Sequence, residues 1–132
     1  YRIKRRKMSR HINRTFIDHA TINVIYNRSK ICLNIHKAWK INSDEPVGLN
    51  MRTFEIPGAG GFELVDDVSN IGDHFDVGEE LVTYSGLDDL VETVRYYLDN
   101  DEEREAIASR GYRRAKDEHT FDDRLDEILQ DL

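Results

Sequence analysis

Residues 49–67 read LNMRTFEIPGAGGFELVDD, and the order of residue types in this stretch decides the fold. A segment with helical spacing runs into a proline and three glycines, and an apolar run follows at once. Arg52 and Glu55 are three apart and share one face of a helix, while Met51 and Phe54 share another. One face can therefore pack while the other meets a ligand. The Arg52/Glu55 pair reads equally well as an exposed intrahelical ion pair worth only ~0.2–0.5 kcal/mol, and residue types alone leave both readings open. The helix is expected from about Val47, closed by Pro57 and the glycines of GAGG at 58–61, with FELVD as a strand behind it. Glycines that follow a helix and precede a strand reverse the order a dinucleotide fingerprint needs, so they end a helix rather than cradle a phosphate.

The flanking segments repeat the pattern. Upstream, DHATINVIYNRSK from Asp18 places Ile22, Ile25 and Tyr26 on one helical face and leads into ICLNI, a short buried strand. A polar loop, HKAWKINSDEPVG, separates that strand from the opening stretch. Downstream, VSNIGDHF reads as a short helix and loop, and EELVTY as a third strand between Gly78 and Gly86. Leu87, Leu90, Val91, Val94, Tyr97 and Leu98 then form an apolar stripe, with Ser85 and Asp88 resembling a capping box. NDEEREAIASRGYRRAKDEH is a further helix, acidic at its start and basic later, as the helix dipole favours. Thr120 caps FDDRLDEILQDL. Tyr97, Leu98, Ile107, Tyr112, Leu125 and Ile128 are expected to form one packed seam among these last three helices.

Strands alternating with helices at this spacing imply parallel pairing through right-handed crossovers. The fold class is therefore α/β: a Rossmann-like parallel sheet flanked by helices, with a helical C-terminal segment. Ligands of such sheets bind beyond the carboxyl ends of the strands. Here that end is formed by two loops, residues 36–48 and 66–69. Residues 1–17 carry no clean period and read as a basic, irregular lead-in to a domain over 18–132. The abrupt start reads as that of a chain cut from something longer or following a disordered gap.

A chain of 132 residues supports one domain with a core of its own. Charged residues make up 34%, against ~25% in an average globular chain, so the surface is heavily charged. The net charge of -7 conceals a split. Residues 1–40 hold 11 Lys and Arg against Asp18 alone, and the remainder holds 8 against 25 acids, or +10 against -17. A basic arm of this kind suits an acidic neighbour, anionic lipid or nucleic acid, but aromatic side chains for base stacking are sparse within it, so no nucleic-acid partner is expected. Cys32 is the single cysteine; it reads as core and the chain as one from a reducing, cytoplasmic setting. No transmembrane segment is legible, and peripheral contact with a membrane through the basic arm stays open.

Catalytic signatures are few. His36, His74 and His119 lack metal-ligand spacing, no H-E-x-x-H pattern occurs, and no metal site is expected. Neither a Ser-His-Asp arrangement nor a G-x-S-x-G elbow is present, and most carboxylates fall on polar faces of the last helices. The residues by themselves lead to an α/β unit with a polar-faced helix after its first strand, suited to an anion or nucleotide.

Three segments in order carry a resemblance: YNRSKICLNIH at 26–36, LNMRTFEIPGAGGFELVDD at 49–67, and VGEELVTYSGLDDLVETVRYYLDNDEEREAIASRGYRRAKDEHTFDDR at 77–124. Over roughly residues 26–128 they resemble the C-terminal, donor-binding domain of the CgeB-like (spore maturation protein) branch of the group 1 glycosyltransferases. The N-x-R-x-F-E core, the glycine turn, the E-E-L strand and the E-H-T-[FY]-x-x-R closure carry it. The resemblance implies a GT-B enzyme of two Rossmann-like halves that moves a sugar from a nucleotide diphosphate sugar to an acceptor, in cell-envelope or spore-surface glycan synthesis. Glu55 matches the glutamate that grips the donor ribose. A partner glutamate lies eight positions earlier in the broader family, where this chain has Val47, so Asn50 and Arg52 become the candidates for the sugar. Backbone N–H groups near Gly48 and Leu49 are expected at the diphosphate, if the helix begins there. The resemblance implies no cofactor and no metal beyond the nucleotide-sugar donor, and an N-terminal acceptor domain outside this chain, without which the chain is expected to be inactive. The rival reading is a non-catalytic module docking through its basic arm, whose binding would fall steeply with salt.

Overall fold

The computed structural model describes residues 15–36 and 48–130. The lead-in before residue 15, the loop 37–47 with Val47, and the last two residues lie outside the described residues.

Helix α1 (His19–Arg28) begins where Asp18 accepts a hydrogen bond from Thr21 N at 2.9 Å and a second from the Thr21 hydroxyl at 3.0 Å. That is an N-cap satisfying an otherwise orphaned donor. Ile22 and Tyr26 are half-buried, whereas Ile25 stays 41% exposed, so the inward face is narrower than the apolar spacing suggested. Ser29 takes extended backbone, returns its hydroxyl to Ile25 O at 2.7 Å, and turns the chain into β1 (Cys32–Asn34).

Helix α2 (Arg52–Gly58) follows, then β2 (Glu63–Asp66), a 3₁₀ turn (Ile71–Asp73), and β3 (Val82–Tyr84). The three strands make one parallel sheet in the order β1-β2-β3, with Leu33 opposite Leu64 and Val65 opposite Thr83. The α/β class and the parallel pairing of all three expected strands stand.

Two details of α2 differ from the expectation. It starts at Arg52, five residues beyond Val47, because Asn50 is tied down before the helix: its N–H bonds His36 Nε2 at 3.2 Å and its side chain bonds Asn34. Pro57 lies inside the last turn instead of ending it. The stop belongs to Gly60, whose φ of 76° only glycine adopts freely. Gly60 N bonds Pro57 O at 2.7 Å and Gly61 N bonds Ile56 O at 2.9 Å, the paired bonds of a Schellman ending.

Side-chain alternation divides the core by the two faces of the sheet. Phe62, Leu64 and Val82 face helices α3 (Leu87–Asp99) and α4 (Asp101–Glu118), where Tyr97 and Ile107 complete a buried cluster. On the opposite face Val65, Ile71, Phe75, Leu81 and Ala115 pack together, joined by Leu49, Phe54 and Val68. Helix α4 serves both clusters: at ~1.5 Å per residue it is long enough to carry Ile107 to one and Ala115 to the other. Between them Gly111 is pressed onto the loop before β3, where an added Cβ would sit 2.2 Å from Glu80 O.

The N-terminus of α3 is capped one residue later than expected. Gly86 is the cap residue, and Asp89 rather than Asp88 reaches back, accepting from Ser85 N at 2.8 Å and from the Ser85 hydroxyl at 3.1 Å. The seam expected among the last three helices does not form as a whole. Tyr97 and Ile107 are buried, but Leu98, Tyr112, Leu125 and Ile128 are 42–60% exposed. The inward positions of α4, Arg104, Ile107, Gly111 and Ala115, are used on the sheet, Glu80 and Pro57. Helix α5 (Phe121–Gln130) instead leaves from the bend at His119–Thr120, capped by reciprocal bonds between Thr120 and Asp123.

Candidate functional site

At the carboxyl end of β1 a buried polar cluster replaces the apolar core. Asn34, with no exposed surface, points inward beside Cys32. Its amide nitrogen reaches Glu63 Oε1 at 2.8 Å, Asn50 Oδ1 at 3.1 Å and Thr53 Oγ1 at 3.2 Å. Its oxygen accepts from Asn50 Nδ2 at 2.9 Å and Arg52 Nε at 3.2 Å. Arg52 also donates through Nη2 to Ile35 O at 3.4 Å, while the rest of its side chain is exposed. Two of the five expected site residues, Asn50 and Arg52, thus meet on Asn34.

His36 extends the cluster across the strand ends. Its own N–H and its ring Nδ1 both lie against Asp66 Oδ1, at 2.9 and 2.8 Å, and its Nε2 accepts from Asn50 N. A carboxylate only accepts and a backbone N–H only donates, so these partners select the tautomer with the proton on Nδ1. His36 and Asp66 bridge β1 to β2 where the sheet opens.

Glu63 is the unusual member. It is 1% exposed, and its Oε2 has no hydrogen-bond partner among the described residues. Burial pushes its carboxyl up to about 8, against the opposing pull of the Asn34 hydrogen bond and the Arg52 charge. Burial, with Glu63 nearby, raises the Cys32 thiol to about 11. Cys32 is accordingly a core residue, not a nucleophile.

Glu55 lies elsewhere. One turn beyond Arg52, it lines a pocket of about 310 Å³ between α2 and the start of α5, together with Met51, Phe54, His119, Thr120, Phe121 and Arg124. This volume falls at the lower end of the ~300–1,000 Å³ that small-ligand pockets span. His119 is held from two sides: Nε2 donates to His74 O at 2.9 Å, and Nδ1 receives Arg124 Nη2 at 3.1 Å. Phe54 meets the His119 and His74 rings edge-on, at 5.2 and 5.5 Å between centroids. No ion pair joins Arg52 to Glu55: the guanidinium goes to Asn34 and the carboxylate to the pocket.

Gly48 and Leu49 are not first-turn donors of a helix, because α2 starts after them. Gly48 is exposed and Leu49 packs its side chain into the second hydrophobic cluster. The sequence reading missed Asn34, Thr53 and Glu63, and it reached His36 and Asp66 only as the first residues of the two loops at the carboxyl end of the strands. Its signal was available in part, since Asn34 and Glu63 are polar residues inside runs read as buried strands. Among the described residues no group of three or more His, Cys, Asp or Glu is disposed to hold a metal ion, and no helix is long and apolar enough to cross a membrane.

Over residues 4–130 the chain matches a family model described as glycosyl transferase-like. Among curated proteins, the spore protein CgeB of Bacillus subtilis (strain 168) is similar, 26% identical over 104 residues. That alignment takes in 74% of this chain and 31% of CgeB, so the chain spans under a third of that relative's length. No solved structure matches.

Proposed function

Because the chain belongs to the glycosyl transferase-like family, we propose that it forms the donor-binding half of a GT-B glycosyltransferase, holding a nucleotide diphosphate sugar whose sugar passes to an acceptor on another domain. The observation that carries this reading is an anchored guanidinium at the carboxyl end of a parallel sheet, with Glu55 one helical turn along the same helix lining a separate pocket. Ligands of α/β sheets bind at that end. Arg52 supplies a fixed positive charge for the diphosphate, and Glu55 a carboxylate able to accept from both ribose hydroxyls, bonds worth roughly 1.5–3 kcal/mol each. Asn50 stands between strand end and helix as a neutral donor and acceptor for the sugar or its phosphates.

In the transfer itself, the acceptor hydroxyl oxygen bonds the anomeric carbon as the bond to the diphosphate oxygen breaks, and the hydroxyl proton passes to a base on the acceptor domain or to the departing diphosphate. Charge builds on the departing diphosphate, and a preorganised guanidinium stabilises it without a metal ion. A cytoplasmic setting suits a nucleotide-sugar donor. The relative's name, a spore protein, supports a role in spore-surface or envelope glycan synthesis.

A thermal-shift panel of nucleotides and nucleotide sugars tests the reading. A ligand present at about 100 times its dissociation constant adds ~2.7 kcal/mol of stability. UDP, GDP or one of their sugars is expected to raise the melting temperature while the free sugars do not. No shift with any nucleotide would contradict the proposal.

A further inference from the structure

We propose, resting on the donor-site reading above, that Asn34 is a positioning residue for the donor's phosphates: clamped beneath by Thr53 and Glu63, it holds the Arg52 guanidinium and the Asn50 amide ready for an anionic ligand. Every polar valence of Asn34 is spent inside the protein, and none of its surface is exposed, so it touches no ligand itself. Its partners divide by depth. Thr53 and Glu63 are 0% and 1% exposed, whereas Arg52 is on the surface. Arginine loses much rotamer freedom when a ligand fixes it; a guanidinium already anchored through Nε to Asn34 and through Nη2 to Ile35 O has lost that freedom beforehand.

The arrangement makes the site sensitive to the charge on Glu63. Four ionisable groups interact with that carboxyl: Arg52 on α2, Asp66 farther along β2, Cys32 on β1 and Tyr26 on α1. Arg52 alone among them is positive. With Glu63 protonated, the guanidinium's charge is available to a phosphate. Once Glu63 ionises, a negative charge lies one amide away, hydrogen-bonded to the same Asn34 that holds Arg52. A bound diphosphate opposes that ionisation, so binding above about pH 8 takes up a proton and affinity falls as pH rises. A buried carboxylic acid serving only to fill space would not couple to ligand in this way.

Isothermal titration with UDP and GDP, comparing the wild-type protein with Glu63→Gln, decides it. Glutamine keeps the acceptor oxygen for Asn34 and cannot ionise. Titration of the nucleotide is common to both proteins and cancels in the ratio of their dissociation constants. That ratio is expected near one at about pH 7 and at least about threefold against the wild type at about pH 9. A flat ratio would overturn this proposal and leave the donor site standing; a wild type that binds neither nucleotide at any pH would overturn both. In a second arm, Asn34→Ala should weaken nucleotide binding about tenfold in the wild type but under about threefold in an Arg52→Ala background. Equal losses in the two backgrounds would show that Asn34 does not act through Arg52. Should Asn34→Ala fail to fold, the Glu63→Gln pH ratio still decides.

Discussion

At the scale of single residues, Glu63 and Gly111 are where chemistry and packing leave least slack. The Glu63 carboxyl is held up to about 8 in the folded protein, against 4.5 for an ordinary glutamate. The folded state therefore keeps a proton that the unfolded chain has released. Stability contributed by that proton falls as pH rises through the window from about 4.5 to about 8, and changes little beyond it. Glu63→Gln removes the dependence and should raise unfolding stability at pH ~8 by roughly 1–3 kcal/mol, with little effect near pH ~4.5. Chemical denaturation across that range checks it; parallel curves for the two proteins would refute the buried-acid assignment. At Gly111 two effects compete. Alanine favours a helix interior over glycine by about 1 kcal/mol, but its Cβ would lie 2.2 Å from the Glu80 carbonyl oxygen. A backbone atom cannot step aside as a side chain can, and overpacking of this kind costs about 1–3 kcal/mol. Gly111→Ala is thus expected to lower the melting temperature, and an increase would mean that α4 does not press on this loop.

Among the elements, the strands and long helices were legible from sequence and the start of α2 was not. ICLNI, FELVD and EELVTY are short apolar runs bounded by turn residues, and all three pair in parallel. The beginning of α2 was misjudged because Asn50 is fixed by His36 and Asn34, 14 and 16 residues away, contacts that no local pattern encodes. The candidate site divides in the same manner. Asn50, Arg52 and Glu55 stand out along one short polar stretch of sequence. Asn34 and Glu63 gain their meaning only when two strands meet in register, bringing residues 29 apart into a 2.8 Å bond. Helix α5 marks the opposite limit: its apolar spacing promised a packed face, yet Leu125 and Ile128 remain 56% and 60% exposed. Periodicity reports that a face is apolar, not what covers it. Leu125→Ala should accordingly change stability by less than ~0.5 kcal/mol, where a core leucine would cost 2–5 kcal/mol. Equilibrium unfolding separates the two, and a loss above ~2 kcal/mol would place α5 within the core.

Across the described residues, hydrophobic clusters pack both faces of the sheet, and a buried polar network lies at its carboxyl end, where Asn34, Asn50, Arg52, His36 and Asp66 gather, with the Glu55 pocket beside them. The fold is thus a scaffold that leaves one end chemically equipped. The chain belongs to the glycosyl transferase-like family, and the central claim proposed for it is that a nucleotide donor is held at that end by Arg52 and Glu55. Isothermal titration with UDP and GDP tests it most directly. The wild-type protein should bind one of them saturably, and Glu55→Gln should bind it at least about tenfold more weakly, about 1.4 kcal/mol, with an unchanged melting temperature. Equal affinity of wild type and Glu55→Gln would return Glu55 to the protein surface and contradict the claim.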